Sequence, residues 1–294
     1  MKVGIYGQFY HTNAGIYIGQ LLELLKRENI KVVIEENFLD LIHLNKTINE
    51  NYSHFNTFEE LDNSFDLFFC IGGDGTILKS INYIRNLDIP IVGINTGRLG
   101  FLATIQKEEI KECLQSILEK KFSISRRTVL NIKTNPTSHD PVFRNIALNE
   151  VAVSRKNTTS MITVDTWLND QYLNSYWADG LIVSTPTGST GYSLSCGGPV
   201  ITPDAGSLII TPIAPHNLNA RPLVIKDDTK ITLRVSGREE SHLVSMDSRI
   251  ATLENDTEII IEKAPYAINL VELKGDSFLH TLRKKLMWGE DKRN

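Results

Sequence analysis

The sequence predicts two domains, an α/β domain with a parallel, Rossmann-like sheet and then an all-β domain of sandwich type. Up to residue 121, short apolar runs alternate with segments whose apolar residues recur every three or four positions. From Phe122 onward, short β-like runs separated by turn residues replace that pattern. We therefore expect an α/β domain at residues 1–121, joined by the segment 275–294, and an all-β domain at residues 122–274.

The first domain is predicted to consist of β-α-β units, for which a parallel sheet is the default. Strands are expected at residues 3–7, 31–35, 67–71 and 89–94. The helix after the first strand shares one apolar face: Ala14, Ile18, Leu21, Leu22 and Leu25. A later helix at residues 107–121 is expected to turn four residues inward: Ile110, Leu114, Ile117 and Leu118. Residues 38–63 are polar and rich in asparagine, which suggests a surface connection with one weak helix.

The second domain is predicted from a series of β-like runs, for example at residues 129–134, 147–154, 162–168 and 172–177. Asn169-Asp170 marks a hairpin turn between the last two. A short helix at residues 276–288 follows, with Phe278, Leu282 and Leu286 on one side. That face needs a surface to cover it, and we expect the α/β domain to supply one. The charged residues 290–294 are expected to be solvated.

Composition excludes several classes of protein. The 294 residues carry a net charge of −4, which disfavours a nucleic-acid partner held through its phosphates. No apolar run approaches the length that crosses a bilayer, and the first residues are typical of a strand rather than a signal peptide, so we expect a cytoplasmic protein without a membrane partner. Cys70, Cys113 and Cys196 are odd in number and widely spaced, which favours buried reduced thiols.

The first chemical motif follows the predicted strand 67–71. Gly72-Gly73-Asp74-Gly75-Thr76 leads directly into a helical pattern. The glycines let a phosphate approach peptide N–H groups at a helix start. Asp74 would repel phosphate, so it either accepts a proton, acts through a metal ion or merely caps the helix. The full G-x-G-x-x-G and P-loop patterns are missing, which disfavours a standard dinucleotide oxidoreductase and a P-loop kinase.

A second loop is expected beside the first. Residues 95–102 follow the strand 89–94 and leave the sheet at the edge where Asp74 lies, because parallel strands share their carboxyl ends. Arg98 and Phe101 could therefore face a nucleotide, although Phe101 could equally pack under its loop. Lys79, one turn into the helix, is another candidate for nucleotide contact.

The other unusual stretch runs from Asp179 to Ser193. Its apolar strand enters a loop dense in hydroxyls and glycines, which offers many donors to phosphate, ribose or base. Gly197-Gly198-Pro199 adds another tight backbone feature. Asn149-Glu150 lies where a strand meets a turn, and Glu150 either holds ribose hydroxyls or is a surface carboxylate.

These motifs, in this order and over nearly the whole chain, resemble the NAD kinase family. The Gly-Gly-Asp-Gly-Thr loop is also found in diacylglycerol and sphingosine kinases, but the threonine-rich block at residues 185–193 is far more specific. The segment at residues 215–222 is similar to a further block of the family. The resemblance implies an ATP-dependent enzyme that phosphorylates the 2′-hydroxyl of the adenosine ribose of NAD, giving NADP.

The resemblance also implies roles for individual residues. Asp74 would accept the proton of the 2′-hydroxyl, and Gly72, Gly73, Gly75 and Thr76 would lie beside the phosphates. The residues implied to bind NAD are Asp74, Gly75, Lys79, Asn149, Glu150, Trp177, Asp179, Thr187, Thr190, Gly191, Tyr192, Ser193, Leu194, Ser195 and Arg249. NAD and ATP would be the substrates, Mg²⁺ would be held mainly by nucleotide phosphates without a dedicated protein metal site, and the assembly would be a homodimer or homotetramer.

Three residues depart from the family pattern. Gly191 stands where alanine is usual, Trp177 where some bacterial members have arginine, and Arg249 where glutamine is frequent. Trp177 could stack on a ring or simply pack, and Arg249 is a candidate to reach a phosphate. Two other functions remain open: a kinase of another small alcohol, and an NAD(H)-binding regulator without turnover, for which the Asp74 carboxylate would have little use.

Overall fold

The computed structural model describes residues 1–8, 14–45, 50–157, 160–275 and 277–288. The chain divides into two compact units. The α/β unit consists of residues 1–126 and 268–294, and the β unit of residues 127–267. Both crossings fall inside long strands, whereas the sequence placed them after residues 121 and 274.

The α/β unit alternates strands with helices, as expected. In chain order its elements are β1 (Lys2–Gly7), α1 (Ala14–Arg27), β2 (Lys31–Glu35), α2 (Glu36–Leu44), β3 (Ser53–Phe55), β4 (Leu67–Gly72), α3 (Asp74–Ile84), β5 (Ile91–Asn95), β6 (Ile105–Gln106) and α4 (Ile110–Leu118). Single 3₁₀ turns occur at Phe58–Glu60 and Lys107–Glu109.

The β unit follows with shorter connections. Its elements are β7 (Phe122–Asn135), β8 (Ile146–Ala147), β9 (Glu150–Ser154), β10 (Ile162–Leu168), β11 (Gln171–Ala178), β12 (Gly180–Ser184), a 3₁₀ turn (Thr187–Thr190), α5 (Tyr192–Ser195), β13 (Ser207–Ile213), β14 (Leu223–Lys226), β15 (Ile231–Gly237), β16 (Ser241–Met246), β17 (Arg249–Glu254) and β18 (Glu258–Leu273). The last six residues of β18 and the helix α6 (Phe278–Leu286) belong to the α/β unit.

The sheet of the α/β unit has the strand order β3-β2-β1-β4-β5, and each neighbouring pair is parallel. Leu270 of β18 pairs with Ile91 on the far side of β5, also in parallel. The parallel, Rossmann-like sheet that the sequence predicts is thus confirmed. The order reverses at β1 and β4, and in such sheets ligands bind at the carboxyl ends beside that reversal.

Helix α1 buries the apolar face that its periodicity predicts. Ala14, Ile18, Leu21, Leu22 and Leu25 are all at most 4% exposed and join the strand side chains in one core. Burial of a full aliphatic side chain stabilises a fold by roughly 1.5–3 kcal/mol, so this face holds the helix on the sheet.

The β unit contains two sheets. One has the order β14-β13-β12-β9-β16-β17, and the other pairs β11, β10, β15 and the first part of β18. A single apolar core draws alternate residues from both sheets, for example Val153 and Val183 from one and Val164 and Leu233 from the other. The predicted sandwich is therefore confirmed. The expected hairpin turn is also present, since Asn169 and Asp170 both have positive φ.

Some expectations were wrong. Residues 38–63 are not only a surface connection, because Phe38, Leu39 and Ile42 of α2 are buried and β3 extends the sheet beside β2. Leu118 does not face inward; it ends α4 and is 42% exposed. The run 147–154 is not one strand, since β8 ends at Ala147 and β9 begins at Glu150. The prediction for residues 290–294 falls outside the described residues.

No helix in the described part of the chain is long and apolar enough to cross a membrane. The three cysteines are free thiols; Cys70 and Cys113 are buried, and Cys196 is half-buried.

Candidate active site

Asp74 is the first residue of α3, directly after the glycine turn that ends β4. Gly72 has to be small, because a Cβ there would overlap the Thr76 hydroxyl. Gly73 and Gly75 are different, since a Cβ on either would meet no atom within 4 Å. The backbone at the start of α3 is therefore open to a ligand, and its peptide N–H groups favour an anion.

The Asp74 carboxylate is held by the loop that follows β5. Its Oδ2 accepts a hydrogen bond from the N–H of Phe101 at 2.8 Å, and its Oδ1 accepts from Leu102 and Ala103, both at 3.0 Å. Gly100 makes this approach possible, because a Cβ there would overlap Oδ1. A carboxylate offers about four acceptor positions, so these three bonds fix Asp74 and leave about one position for a substrate.

Beside Asp74 lies a pocket of about 250 Å³ lined by Gly73, Gly75, Thr76 and residues 95–98. Asn95 shapes its far wall: the side-chain N–H groups donate to the carbonyls of Arg98 and Ala103, and Oδ1 accepts from Gly97. Arg98 is exposed at the rim. The buried hydroxyl of Thr76 has no hydrogen-bond partner among the described residues.

Phe101 is half-buried and contacts α6. Its ring lies 6.4 Å from that of Phe278, and Lys285 lies 5.7 Å from its centroid while donating to the carbonyl of Leu99 at 2.8 Å. Helix α6 thus packs on the loop that holds Asp74. Lys79 lies on the exposed side of α3.

A second cluster surrounds Asn149 and Glu150 in the β unit. Asp247, in the turn between β16 and β17, accepts hydrogen bonds from the N–H groups of Leu148 (2.6 Å), Asn149 (2.7 Å) and Glu150 (3.2 Å). The Asp247 side chain is fully buried, and Arg249 lies 3.8 Å from it. Asn149 Oδ1 and Glu150 Oε2 are buried and have no partner in the part of the chain that the structure describes.

Burial controls the charges in this cluster. Burial first, and then the facing carboxylate of Asp247, raise the pKa of Glu150 to about 7, while the backbone N–H of Tyr192 opposes the rise. Burial likewise raises the pKa of Asp247, against the pull of its three N–H donors and Arg249. Burial lowers the pKa of Arg249, and Asp247 opposes that shift.

The hydroxyl-rich segment packs against this cluster. Thr185 donates to the carbonyls of Leu148 and Asn149, and a Cβ on Gly188 would overlap the Asn149 backbone. Thr187 is buried, and its hydroxyl has no partner among the residues described. A Cβ on Gly191 would lie 3.0 Å from Glu150 Oε2, so this glycine leaves room for that oxygen.

The residues of α5 differ in what they present. Tyr192 and Ser195 are exposed, and Leu194 is half-buried. Ser193 points into the interior, where its hydroxyl lies 2.8 Å from that of Thr211. Thr190 donates to the carbonyl of Thr187. Among the proposed pocket residues, Ser193 therefore has its hydroxyl turned inward.

Trp177 and Asp179 lie on either side of the end of β11. The Trp177 ring is 53% exposed and lies 5.9 Å from that of His216. Asp179 forms an ion pair with Arg155 at 2.9 Å, so its charge is already neutralised within the chain.

The residues predicted from the sequence thus form two clusters, one in each unit. Sequence reasoning missed Gly100 and Asp247. The only signal for Asp247 was Asp-Ser between two alternating strands, a turn pattern that says nothing about where the carboxylate points. In the described residues no group of three or more His, Cys, Asp and Glu side chains is arranged to hold a metal ion.

Comparison with known proteins agrees with this architecture. Models of the ATP-NAD kinase N-terminal and C-terminal domains match residues 3–122 and 148–273. An NAD kinase from Christiangramia forsetii is 81% identical over 294 residues, the full length of both chains.

Two solved structures share the fold. An NAD kinase from Archaeoglobus fulgidus in complex with ATP is 27% identical with a TM-score of 0.74, covering 98% of this chain and 99% of that one. Yeast NADH kinase complexed with NADH is 20% identical with a TM-score of 0.86, covering 100% of this chain and 89% of that one. The two domain matches and the full-length relative place the chain in the class of small-molecule kinases that join a Rossmann-like unit to a β-sandwich unit. The chain belongs to the NAD kinase family.

Proposed function

We propose that this chain transfers the terminal phosphoryl group of ATP to the 2′-hydroxyl of the adenosine ribose of NAD, giving NADP and ADP. The observation that carries the proposal is the state of Asp74. Three backbone donors fix its carboxylate next to residues that line a glycine-rich pocket, and about one acceptor position remains. That position suits a single attacking hydroxyl.

Asp74 is the proposed catalytic residue. It accepts the proton of the 2′-hydroxyl while the oxygen forms a bond to the γ-phosphorus and the bond between that phosphorus and the β–γ bridging oxygen breaks. Because the carboxylate is already fixed by the loop, little reorganisation is needed when the substrate arrives.

The phosphates are proposed to lie in the 250 Å³ pocket, beside Gly72, Gly73, Gly75 and Thr76. The unpartnered Thr76 hydroxyl and the open N–H groups at the start of α3 support this assignment. Lys79 on α3 and Arg98 on the loop after β5 are exposed cations. Phe101, on the same loop as Arg98, is a candidate to contact the nucleotide.

A divalent metal ion, Mg²⁺, is proposed to arrive with ATP. The one remaining acceptor position of Asp74 is assigned to the attacking hydroxyl, so the phosphates would supply most of the metal ligands. Bound Mg²⁺ supplies charge neutralisation at the phosphates.

The β unit is proposed to bind NAD. Asn149 Oδ1 and Glu150 Oε2 are buried acceptors without partners among the described residues, and such atoms suit the hydroxyls of a ribose. The same proposal gives supporting contacts to a larger set: Trp177, Asp179, Thr187, Thr190, Gly191, Tyr192, Ser193, Leu194, Ser195 and Arg249. Since the Ser193 hydroxyl is held by Thr211, its contribution would come from the backbone.

The protein is further proposed to act in the cytoplasm as a homodimer or homotetramer. The acidic net charge of −4 supports a small-molecule role rather than nucleic-acid binding.

The test is to incubate the purified chain with NAD, ATP and Mg²⁺ and to measure NADP with an NADP-specific dehydrogenase. Asp74→Asn should lower kcat by about 10²–10⁴-fold, because the amide cannot take the proton. Asp40→Asn, an exposed aspartate on α2, is the matched control and should leave kcat unchanged.

The outcomes separate the alternatives. If the chain binds NAD but forms no NADP with any phosphoryl donor, the kinase proposal fails and an NAD(H)-binding regulator takes its place. Phosphorylation of another alcohol but not of NAD would identify a different kinase. An Asp74→Asn variant that still binds NAD but turns over normally would remove Asp74 as the catalytic base.

A further inference from the structure

Asp247 lies in a two-residue turn that aims its side chain inward. Met246 pairs with Arg249, and the intervening Asp247 and Ser248 both have positive φ, 47° and 73°. Such turns join adjacent antiparallel strands and favour glycine or asparagine. Here an aspartate takes this conformation with a side chain that is fully buried.

The Asp247 carboxylate breaks a strand in two. The N–H groups of Leu148, Asn149 and Glu150 all donate to it, at 2.6, 2.7 and 3.2 Å. The backbone N–H of Asp247 donates in return to the carbonyl of Glu150 at 3.2 Å. Leu148 and Asn149 therefore lie outside both β8 and β9, although the sequence favours a continuous strand.

The carbonyls of the same segment have a different partner. The Thr185 hydroxyl donates to Leu148 at 2.6 Å, and the Thr185 N–H donates to Asn149 at 2.9 Å. All six backbone polar groups of residues 148–150 are thus satisfied, four of them by Asp247. The side-chain atoms Asn149 Oδ1 and Glu150 Oε2 are left without partners among the described residues.

Holding this turn with the buried carboxylate of Asp247 carries an energetic penalty. Burying a charge is unfavourable, and this one also faces Glu150. Arg249, at 3.8 Å, and the three N–H donors offset only part of that penalty. A neutral residue could close the hairpin, so the carboxylate has a role in ordering residues 148–150.

We propose that Asp247 is a positioning residue for NAD binding: it fixes the backbone of residues 148–150 so that the side chains of Asn149 and Glu150 present their free acceptors to the ligand. This inference rests on the proposed function, and it gives Asp247 no contact with NAD itself. It acts on the ground-state affinity for NAD rather than on the chemical step.

The test is steady-state kinetics of Asp247→Asn, in which the amide group can no longer accept all three N–H bonds. The KM for NAD should rise at least tenfold, while kcat at saturating NAD and the KM for ATP change by less than about threefold. A purely structural defect would lower the active fraction and leave both KM values alone. Asp256→Asn, an exposed aspartate with φ of 62° in the turn between β17 and β18, is the matched control and should behave as wild type.

Thr185→Val provides a second variant if Asp247→Asn fails to fold. It removes the hydroxyl bond to Leu148 while keeping Asp247, and should raise the KM for NAD in the same direction by a smaller factor. An unchanged KM for NAD in the variant that folds, or a fall in kcat alone, would overturn the role of Asp247.

Calorimetric titration with NAD separates this inference from the proposed function. A wild-type chain that binds NAD without turning it over would overturn the kinase proposal, and the effect of Asp247→Asn would then be read from the Kd for NAD. A wild-type chain that neither phosphorylates nor binds NAD would overturn both.

Discussion

Gly100 leaves the space that Asp74 occupies: a Cβ on Gly100 would overlap the Oδ1 atom of the Asp74 carboxylate. The two residues are 26 positions apart, yet the loop can donate three N–H groups to Asp74 only while residue 100 has no side chain.

Gly100→Ala should therefore displace Asp74 or its loop. We expect a loss of about 1–3 kcal/mol in the free energy of unfolding and a fall in kcat of about 100-fold, because small displacements of a reacting group are costly. Gly206→Ala, at an exposed position outside the proposed site, is the control, since a Cβ there would meet nothing nearer than the Asp227 carboxylate at 3.9 Å. Thermal unfolding and NADP formation measure both effects, and equal behaviour of the two variants would contradict the steric argument.

Lys285 of α6 should contribute to activity because it contacts the loop that holds Asp74. Its ammonium group donates to the Leu99 carbonyl and lies near the Phe101 ring. Lys285→Met should lower kcat several-fold with a Tm drop of only about 2 °C, since a single exposed hydrogen bond is worth little to overall stability. Lys285→Arg should retain activity, and the exposed neighbour Lys284→Met should be silent. A silent Lys285→Met would mean that α6 does not order the loop through this bond.

Glu150 should make stability depend on pH. Its pKa rises from 4.5 to about 7 on folding, because the carboxyl is buried and faces Asp247. The folded state then holds a proton that the unfolded state releases, so stability falls as pH rises from about 4.5 to about 7. The difference in the free energy of unfolding between Glu150→Gln and wild type, measured with urea, should therefore shift in favour of the variant by up to about 3 kcal/mol from pH 5 to pH 8. The exposed Glu254→Gln should show no such change, and a pH-independent difference for Glu150→Gln would refute the shift.

His242 should act in the opposite direction. Burial lowers its pKa to about 4, with Asn255 opposing the shift, so the imidazole stays neutral in the fold. The unfolded state takes up a proton near pH 6.5 and the folded state does not, so stability falls as pH decreases from about 6.5 to about 4. His242→Gln should remove up to about 3 kcal/mol of that loss, measured by urea unfolding at pH 7 and pH 4.5. His216→Gln, at an exposed position, is the control and should lose as much free energy of unfolding between pH 7 and pH 4.5 as wild type does. The same loss in His242→Gln would contradict a neutral His242.

Local patterns predicted much of the fold. The strands at residues 31–35 and 162–168 have the expected bounds, and α1 buries the five residues that its periodicity selects. These elements follow from the alternation of apolar and polar residues, which is visible within a few positions. In the asparagine-rich region the expected weak helix is present as α2, but its burial and the strand β3 were missed, because the few apolar residues that bury these elements are surrounded by polar ones.

Long-range contacts account for what local patterns missed. The run 147–154 has the composition of one strand, and only a carboxylate about a hundred residues later removes two of its members from the sheet. Ser193 stands in a hydroxyl-rich block, yet its hydroxyl faces Thr211 rather than the surface. Motif resemblance identified Asp74, Asn149 and Glu150 as candidate site residues. The roles of Gly100 and Asp247 depend on contacts between segments that are distant in the sequence, so only the folded structure reveals them.

The strand β18 has a consequence for synthesis of the chain on the ribosome. Its residues 268–273 belong to the α/β unit, where Leu270 pairs with Ile91, while residues 127–267 form the β unit. The sheet of the first unit therefore stays one strand short until residues 268–273 have been translated. The β unit, being one continuous segment, has all of its residues available first. The α/β unit, which holds the earlier residues, is thus the one completed later. Strand β6 already pairs with Ile94 and Asn95 of β5, but the stretch of the β5 edge at Ile91 stays unpaired until β18 arrives and needs protection from aggregation in the meantime.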